Sequence, residues 1–557
     1  MKAINIILAI AFAAFTVPVL TSCSGDLLEK NPPSSISDSN FWTGESDAHM
    51  ALVACYQSES GWSHDNFDSP QGLLYLDFAG GNGAEKENFT TLMASVNTMP
   101  TNSNIFGYWN NSYRHIAHCN TFLDNIDNCR MDAAKIKEFK AEVLCIRAFY
   151  FFKLAFYFNN VPMPLTSLSL EEANSIEQTP QAQVYKQAEN DLLEAVSALP
   201  LTRSGKEYGR YTKGAAQAIL GRLYLAQNRF DEAAAIYRSI IDSNVYSIDR
   251  SNGAESYEKL FQIGGEYSKE IIYCHMGVKD KFTTARYQYL YPEANGGWHQ
   301  FAVYNELVKD YFCADGLSIE ESPTYDKKDP YANREIRLYA SVFLPPVGSY
   351  PGTQFLGKTY DCFGGGNSND AYNKFPLFNG YCPKKATDPS INSSLGSTYT
   401  YTPVLRYAEV LLSYLEALNE SNPSAVDQSI LDLTINDIRD RVRLPALSKS
   451  DLSTQEAVRK AVRKERRVEL AFEGQRYFDV LRWNEAQTLL NHTFTGVLLS
   501  DDPAAKNYRG SGDTASPVDA DGYYQFEVRA WDSHNRYFPI PQSDMNVNKN
   551  LVQNPGY

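Results

Sequence analysis

The stretch GAAQAILGRLYLAQNRFDEAAAIYRSIIDS, residues 214–243, constrains the fold more than any other. Leu220, Gly221, Tyr224, Phe230, Ala233 and Tyr237 recur at the spacing of a helix–turn–helix repeat unit of about 34 residues. The missing side chain at Gly221 lets two helices approach, while Ala233 and the aromatics interlock. One such unit cannot bury its own apolar face, so further helix pairs must stack on it.

Candidates for those pairs lie on either side. From about 39 to 263 the dominant period is helical. In YWNNSYRHIAHCNTFLDNI, Trp109, Tyr113, Ile116, Asn120 and Leu123 fall at three- and four-residue steps. AEVLCIRAFYFFKLAFYF follows as a helix apolar on most sides, which predicts burial all round. The pairs around 105–157 and 403–443 are candidates to stack on the repeat unit, though they match its pattern poorly. Residues 265–400 differ: rich in Gly, Pro, Asn and Tyr, they read as long irregular loops on the scaffold, where binding usually sits. Helical pattern resumes over about 401–485, and a second loop region spans 486–535. The expected fold is all-α, a tetratricopeptide-type helical-repeat scaffold with a loop-rich ligand-binding region.

The 557-residue chain carries 66 acidic and 51 basic residues, for a net charge of −15. No basic run could neutralise phosphates, so nucleic acid is not an expected partner. Lys2 and the apolar run from Ile6 to Leu20 read as a signal peptide over 1–22, too short to span a membrane. The run ends in Leu20-Thr21-Ser22-Cys23, which resembles a bacterial lipobox whose cysteine becomes the acylated first residue. Residues 23–38 are then a lipid-anchored tether, and 39–557 a single folded domain. The remaining cysteines, at 55, 119, 129, 145, 274, 313, 362 and 382, include no C-x-x-C pair. Cys119 with Cys129, or Cys362 with Cys382, are conceivable disulfides, but scattered buried thiols are the preferred reading.

Several motifs taken together resemble the SusD/RagB-type outer-membrane lipoproteins of Bacteroidota. In order they are CSGDLLEKNPPSSIS, YWNNSYRHIAHCNTFLDNI, AEVLCIRAFYFFKL, VKDYFCADG, DPYANREIRLYAS, RYAEVLLSYLEALNE, ERRVELAFEGQRYFDVLRW and PIPQSDMNVNKNLVQNPGY. They span nearly the whole chain. The resemblance implies a lipid-anchored outer-membrane protein facing the cell exterior. It would bind a nutrient, usually a glycan and in some relatives a peptide, and serve a SusC-type TonB-dependent transporter.

The stretch ERRVELAFEGQRYFDVLRW reads as one helix with Glu465, Glu469 and Glu473 stacked on a face. A glycosidase needs two carboxyls opposed across a cleft at about 5–9 Å, which one helix face does not provide. The alternating Glu473, Arg476, Asp479 and Arg482 instead suggest a structural charge network, with Arg406, Glu409 and Glu416 on a neighbouring helix as partners. No H-E-x-x-H, G-x-S-x-G or Walker-type phosphate loop occurs. His115 with His118, the DADG at 519–522 and the glycine-rich FGGGNSND each fall short of a metal or phosphate site. The chain is therefore expected to be no enzyme and to need neither cofactor nor metal.

A sugar ring presents an apolar C–H face and a rim of hydroxyls, so its recognition calls for flat aromatics beside amide or carboxylate groups. YPEANGGWHQ offers Tyr291, Asn295, Trp298, His299 and Gln300, with Tyr287 and Tyr289 upstream as extensions of an arc. In the family the segment before VKDYFCADG often contributes to the binding face, which favours Trp298. The second candidate region, Asp77 to Asn111, contains Asp77 and Asn82, then Tyr108, Trp109 and Asn110; Trp62, in SGWSHDNF, is a weaker third candidate. Trp42, Trp483 and Trp531 are assigned to packing.

Overall fold

The computed structural model describes residues 41–557 except 57–65, 87–92, 280, 349, 353, 364–369, 375–377 and 510–514. The residues read as signal peptide and tether, Cys23, Trp62 and most of FGGGNSND lie outside the described residues. Helices dominate: α1 (Glu45–Tyr56), α2 (Pro70–Asp77), α3 (Ser103–Asn125), α4 (Ala133–Phe158), α5 (Gln181–Ala198), α6 (Lys213–Ala226), α7 (Phe230–Asp242), α8 (Tyr407–Ser421), α9 (Gln455–Glu469) and α10 (Arg476–Arg482). Side-chain caps start several of them. Asn102 accepts from the Ile105 N–H at 3.1 Å, Asp132 from that of Ala134 at 2.8 Å, and Thr454 from that of Ala457 at 3.1 Å.

The helices pack in chain order, α3 on α4, α4 on α5, α5 on α6 and α6 on α7. Then α7 packs on α8, so two helical blocks more than 150 residues apart in the sequence form one stack. The α6–α7 pair is the repeat unit read from the sequence. A Cβ on Gly221 would lie 2.4 Å from the Tyr237 ring, so glycine is required for this close crossing. Every residue of α4 from Ala141 to Phe158 is buried, which explains its unbroken apolar run.

Short antiparallel ladders tie the loops to the stack. Strand β1 (Gly83–Glu85) pairs with β3 (Phe301–Val303), β2 (Ile271–Met276) with β4 (Tyr401–Arg406), and β5 (Thr493–Leu498) with β6 (Tyr523–Val528). The β2–β4 ladder closes both ends of the 265–400 loop region against the scaffold, and β4 runs directly into α8. The β5–β6 pair gives regular structure to a segment read as loop. All eight described cysteines are free and buried, so neither conceivable disulfide is formed.

The charged signature is two helices rather than one. α9 stops at Glu469, and the chain turns through Phe472 and Gly474 at φ of 67° and 75° before α10 begins. A Cβ at Gly474 would meet the Leu73 side chain at 2.6 Å. The turn carries Glu473 off the face of Glu465 and Glu469 and directs it at Arg406. Glu469 accepts from Arg337 at 2.9 Å, Arg406 at 2.7 Å and Arg441. Glu465 accepts from Arg337 at 2.6 Å, and Glu473 from Arg406 and Lys385, both at 2.6 Å. Glu270 and Glu335 complete the cluster. A second group joins Arg482 to Glu416 at 2.6 Å and Arg466 to Asp479 at 3.0 Å. Glu409 departs from expectation and binds Arg222 of α6 at 2.6 Å, clamping the repeat unit to α8. Arg476 also departs: burial pulls it down to about 9, and its Nε has no acceptor among the described residues.

Candidate functional site

The loop YPEANGGWHQ folds back on the short helix Arg286–Leu290 before it. Three backbone bonds fasten the return: the N–H groups of Trp298, His299 and Gln300 donate to the carbonyls of Gln288, Tyr291 and Tyr289 at 2.7, 3.0 and 3.0 Å. The two glycines make the fold-back feasible. Gly296 sits at φ 87°, and a Cβ on Gly297 would lie 2.1 Å from the Tyr291 carbonyl oxygen. His299 adopts φ 44° and turns inward, where its Nδ1 lies 2.9 Å from Asp370 Oδ1 and its ring stacks on Phe378 at 4.1 Å. Burial by itself would raise the Asp370 carboxyl, yet the His299 hydrogen bond and the N–H groups of Glu293 and Ala294 hold it below its usual range.

With its neighbours anchored on both sides, Trp298 is left standing on the surface at 41% exposure. Tyr289 packs edge-on beneath it, ring centroids 5.4 Å apart at 74°, and Phe301 backs Tyr289 in turn. A shallow depression of about 490 Å³ lies on the same fold-back, lined by Gln288, Asn295, Gly296 and residues 392–397 and tied to Trp298 through its backbone bond to Gln288. Gln288 donates to the Gly296 carbonyl at 3.1 Å and Asn295 to that of Phe355 at 3.0 Å, so both amides are held in place. The side chains of Asn392, Ser393, Ser394 and Ser397 face solvent. The arrangement is a flat, buttressed ring beside a field of amides and hydroxyls.

The other residues singled out from sequence are placed differently. Tyr291 is fully buried, donating to the carbonyls of Asp388 at 2.5 Å and Ile391 at 2.9 Å, and Tyr287 is buried beside it. Tyr289 and Gln300 are 5% and 7% exposed, and Gln300 donates to Glu85 at 2.8 Å. These residues hold the platform from behind and do not form a surface arc. The second region dissolves into core. Asp77 and Asn82 are both 0% exposed; Asn82 donates to Asp77 at 2.5 Å, and the Gly474 N–H donates to Asp77 at 3.0 Å. Burial raises the Asp77 carboxyl in spite of those bonds. Tyr108 donates to the Gly72 carbonyl at 2.6 Å, and Trp109 Nε1 to Asp544 at 3.0 Å, both from inside the stack. Of the trio on α3 only Asn110 is exposed. Gln288 and the 392–397 segment were missed; the Asn/Ser-rich INSSLGS was the available signal, but its nearness to Trp298 is a tertiary fact.

Comparison with known proteins fits this geometry. A family model described as the SusD family matches residues 251–557. The chain belongs to the SusD family. A second model, described as starch-binding associating with outer membrane, matches residues 29–225. Among SusD relatives, SusD-like protein P2 of Formosa agariphila is 26% identical over 509 residues, covering 84% of this chain and 89% of the relative. The crystal structure of a SusD-like carbohydrate binding protein from Bacteroides fragilis superposes with a TM-score of 0.81 at 30% identity, covering 92% of this chain and all of the other. The surface glycan-binding protein A of Bacteroides fluxus shares the fold, with a TM-score of 0.65 at 20% identity over 92% of this chain and all of the other. The helical, tetratricopeptide-like scaffold is thus that of the SusD family.

Proposed function

We propose that this SusD-family protein binds a nutrient glycan at the cell surface, without chemistry on it, and delivers it to a SusC-type TonB-dependent transporter. The observation that carries the reading is Trp298: a rigidly backed indole left exposed beside Gln288, Asn295 and a row of serines. The ring would cover the C–H face of a sugar while the amides and hydroxyls take its hydroxyl groups. A shallow, open site of this kind binds weakly, which suits transfer to a transporter. The second model's description as starch-binding associating with outer membrane supports the reading, as do the names of the Bacteroides fragilis and Bacteroides fluxus neighbours. The binding role without catalysis is supported by Glu465, Glu469 and Glu473, each enclosed by arginine or lysine partners and unable to act across a cleft.

Acylation at Cys23 would hold the protein on the outer membrane, with residues 23–38 as tether and 39–557 as one binding unit facing outward. No described helix is long and apolar enough to cross a membrane.

The test is titration calorimetry of the chain from residue 24 onward against neutral and acidic polysaccharides and a peptide mixture, with Trp298→Ala in parallel. One glycan class should bind, and the variant should lose roughly tenfold or more in affinity with an unchanged melting temperature. Binding of peptides alone, indifferent to Trp298, would sink the reading.

A further inference from the structure

A cleft of about 520 Å³ opens between α1, the start of α2 and the loops carrying Lys206–Arg210 and Val278–Thr284. Its rim is apolar and accessible, with Val53, Val278 and Phe282 at 52%, 44% and 48% exposure. Its charged lining is one-sided. Lys206, Arg210 and Arg286 contribute, His275 stands beside them, and no aspartate or glutamate appears among the described lining residues. In a chain with 66 acids against 51 bases, the described lining of this cleft is a local reversal of sign.

Two of the cations are already neutralised. Arg210 meets Glu142 and Glu207, and His275 lies 2.7 Å from Asp68. Arg286 is not. It is 5% exposed; among the described residues its Nη1 donates only to neutral acceptors, Thr402 Oγ1 at 3.0 Å and the Tyr401 carbonyl at 3.4 Å, and its Nε has no acceptor. Among the described residues it forms no ion pair. An enclosed guanidinium with free donor capacity is costly unless an oxyanion meets it, and its planar fork suits a carboxylate or sulfate. The cleft also adjoins the depression on the fold-back that carries Trp298. Thr284 and Thr398 exchange backbone hydrogen bonds at 2.7 and 3.0 Å, and the Thr283 and Ser397 hydroxyls lie 3.0 Å apart, joining the cleft loop to the segment that lines the depression.

We propose that this cleft is a subsite for the anionic substituent, carboxylate or sulfate ester, of an acidic glycan whose neutral face rests on Trp298. The subsite rests on the glycan reading above and narrows its ligand class: Arg286 receives the oxyanion, Lys206 adds attraction at the mouth, and Val53, Val278 and Phe282 contact ring C–H groups.

The experiment titrates alginate, polygalacturonate, chondroitin sulfate and heparin oligosaccharides, each beside its carboxyl-reduced or desulfated counterpart, into the wild type, Arg286→Gln, Lys206→Glu and Trp298→Ala. For at least one pair the acidic form should bind tenfold or more tightly than its neutral counterpart. Arg286→Gln should remove that preference, the exposed Lys206→Glu should reduce it without lowering the melting temperature, and Trp298→Ala should weaken both forms alike. Carboxyl reduction and desulfation separate the two oxyanions. Equal binding of acidic and neutral forms, still dependent on Trp298, overturns the subsite and leaves the glycan reading standing. A wild type that binds no saccharide overturns both.

Discussion

Single side chains in this protein are set by what surrounds them more than by their own chemistry. Lys153 is the clearest case, buried in α4 with its ammonium 5.3–5.8 Å from the ring centres of Phe149, Phe152, Tyr157 and Phe478. Burial, reinforced by Arg222 and only partly offset by Glu409, Asp68 and Asp479, pulls it down to about 7. The unfolded chain binds this proton up to a pH near 10, so between about 7 and 10 the folded state gains stability as pH rises. Lys153→Met should therefore stabilise the fold by about 1–3 kcal/mol near pH 6. The gain should shrink towards pH 9, as read by denaturant unfolding at both values; a gain that does not shrink would mean the lysine is not the titrating group. Gly297 makes the complementary point: Gly297→Ala would collide with the Tyr291 carbonyl and displace Trp298. Glycan affinity should fall as far as in Trp298→Ala, together with the melting temperature.

At the scale of elements, the α6–α7 crossing depends on one absent side chain. Gly221→Ala would force its methyl into the Tyr237 ring and should cost about 1–3 kcal/mol. Tyr237→Leu should recover part of that loss, so the double-mutant cycle should give a clearly non-additive coupling energy. Additive losses would show that the crossing relaxes elsewhere. The α9–α10 break works by the opposite device. Two residues at positive φ stop a strongly helical sequence so that Glu469 and Glu473 can grip the same Arg406 from different directions.

The whole molecule is held by charge as well as by apolar burial. Arg337, Arg406 and Arg441 come from different elements and converge on Glu469. Burial raises that carboxyl, but Arg441, Arg406, Arg337 and Lys385 together hold it well below 4.5. A depressed carboxyl contributes its stability above the unfolded value and loses it as pH falls through the folded one, so acid below about pH 4.5 should progressively release the clamp. Glu469→Gln should cost roughly 3–5 kcal/mol at neutral pH, because it leaves buried arginines uncompensated. The variant should also show a shallower acid limb in unfolding followed by circular dichroism. An acid limb as steep as the wild type's would assign the titration to other carboxyls.

Local pattern determined the helical class, the repeat unit around Gly221, the all-round burial of α4 and the structural nature of the glutamate-rich signature, because each depends on spacings within a few turns. Family membership was legible for a related reason: its motifs are contiguous stretches of sequence. Which aromatic faces solvent was not legible. Trp298 and Tyr291 share one polar, turn-rich stretch and Trp109 sits among polar residues on a helix, and only the fold-back at Gly296–Gly297, the inward turn of His299 and the packing of α3 against the C-terminal segment expose the first and bury the others. Partner choice was likewise tertiary. Glu409 binds Arg222 and Arg286 is left facing a cleft because helices distant in sequence meet there, and burial and charge pairing depend on everything within a few ångströms, whatever its place in the chain.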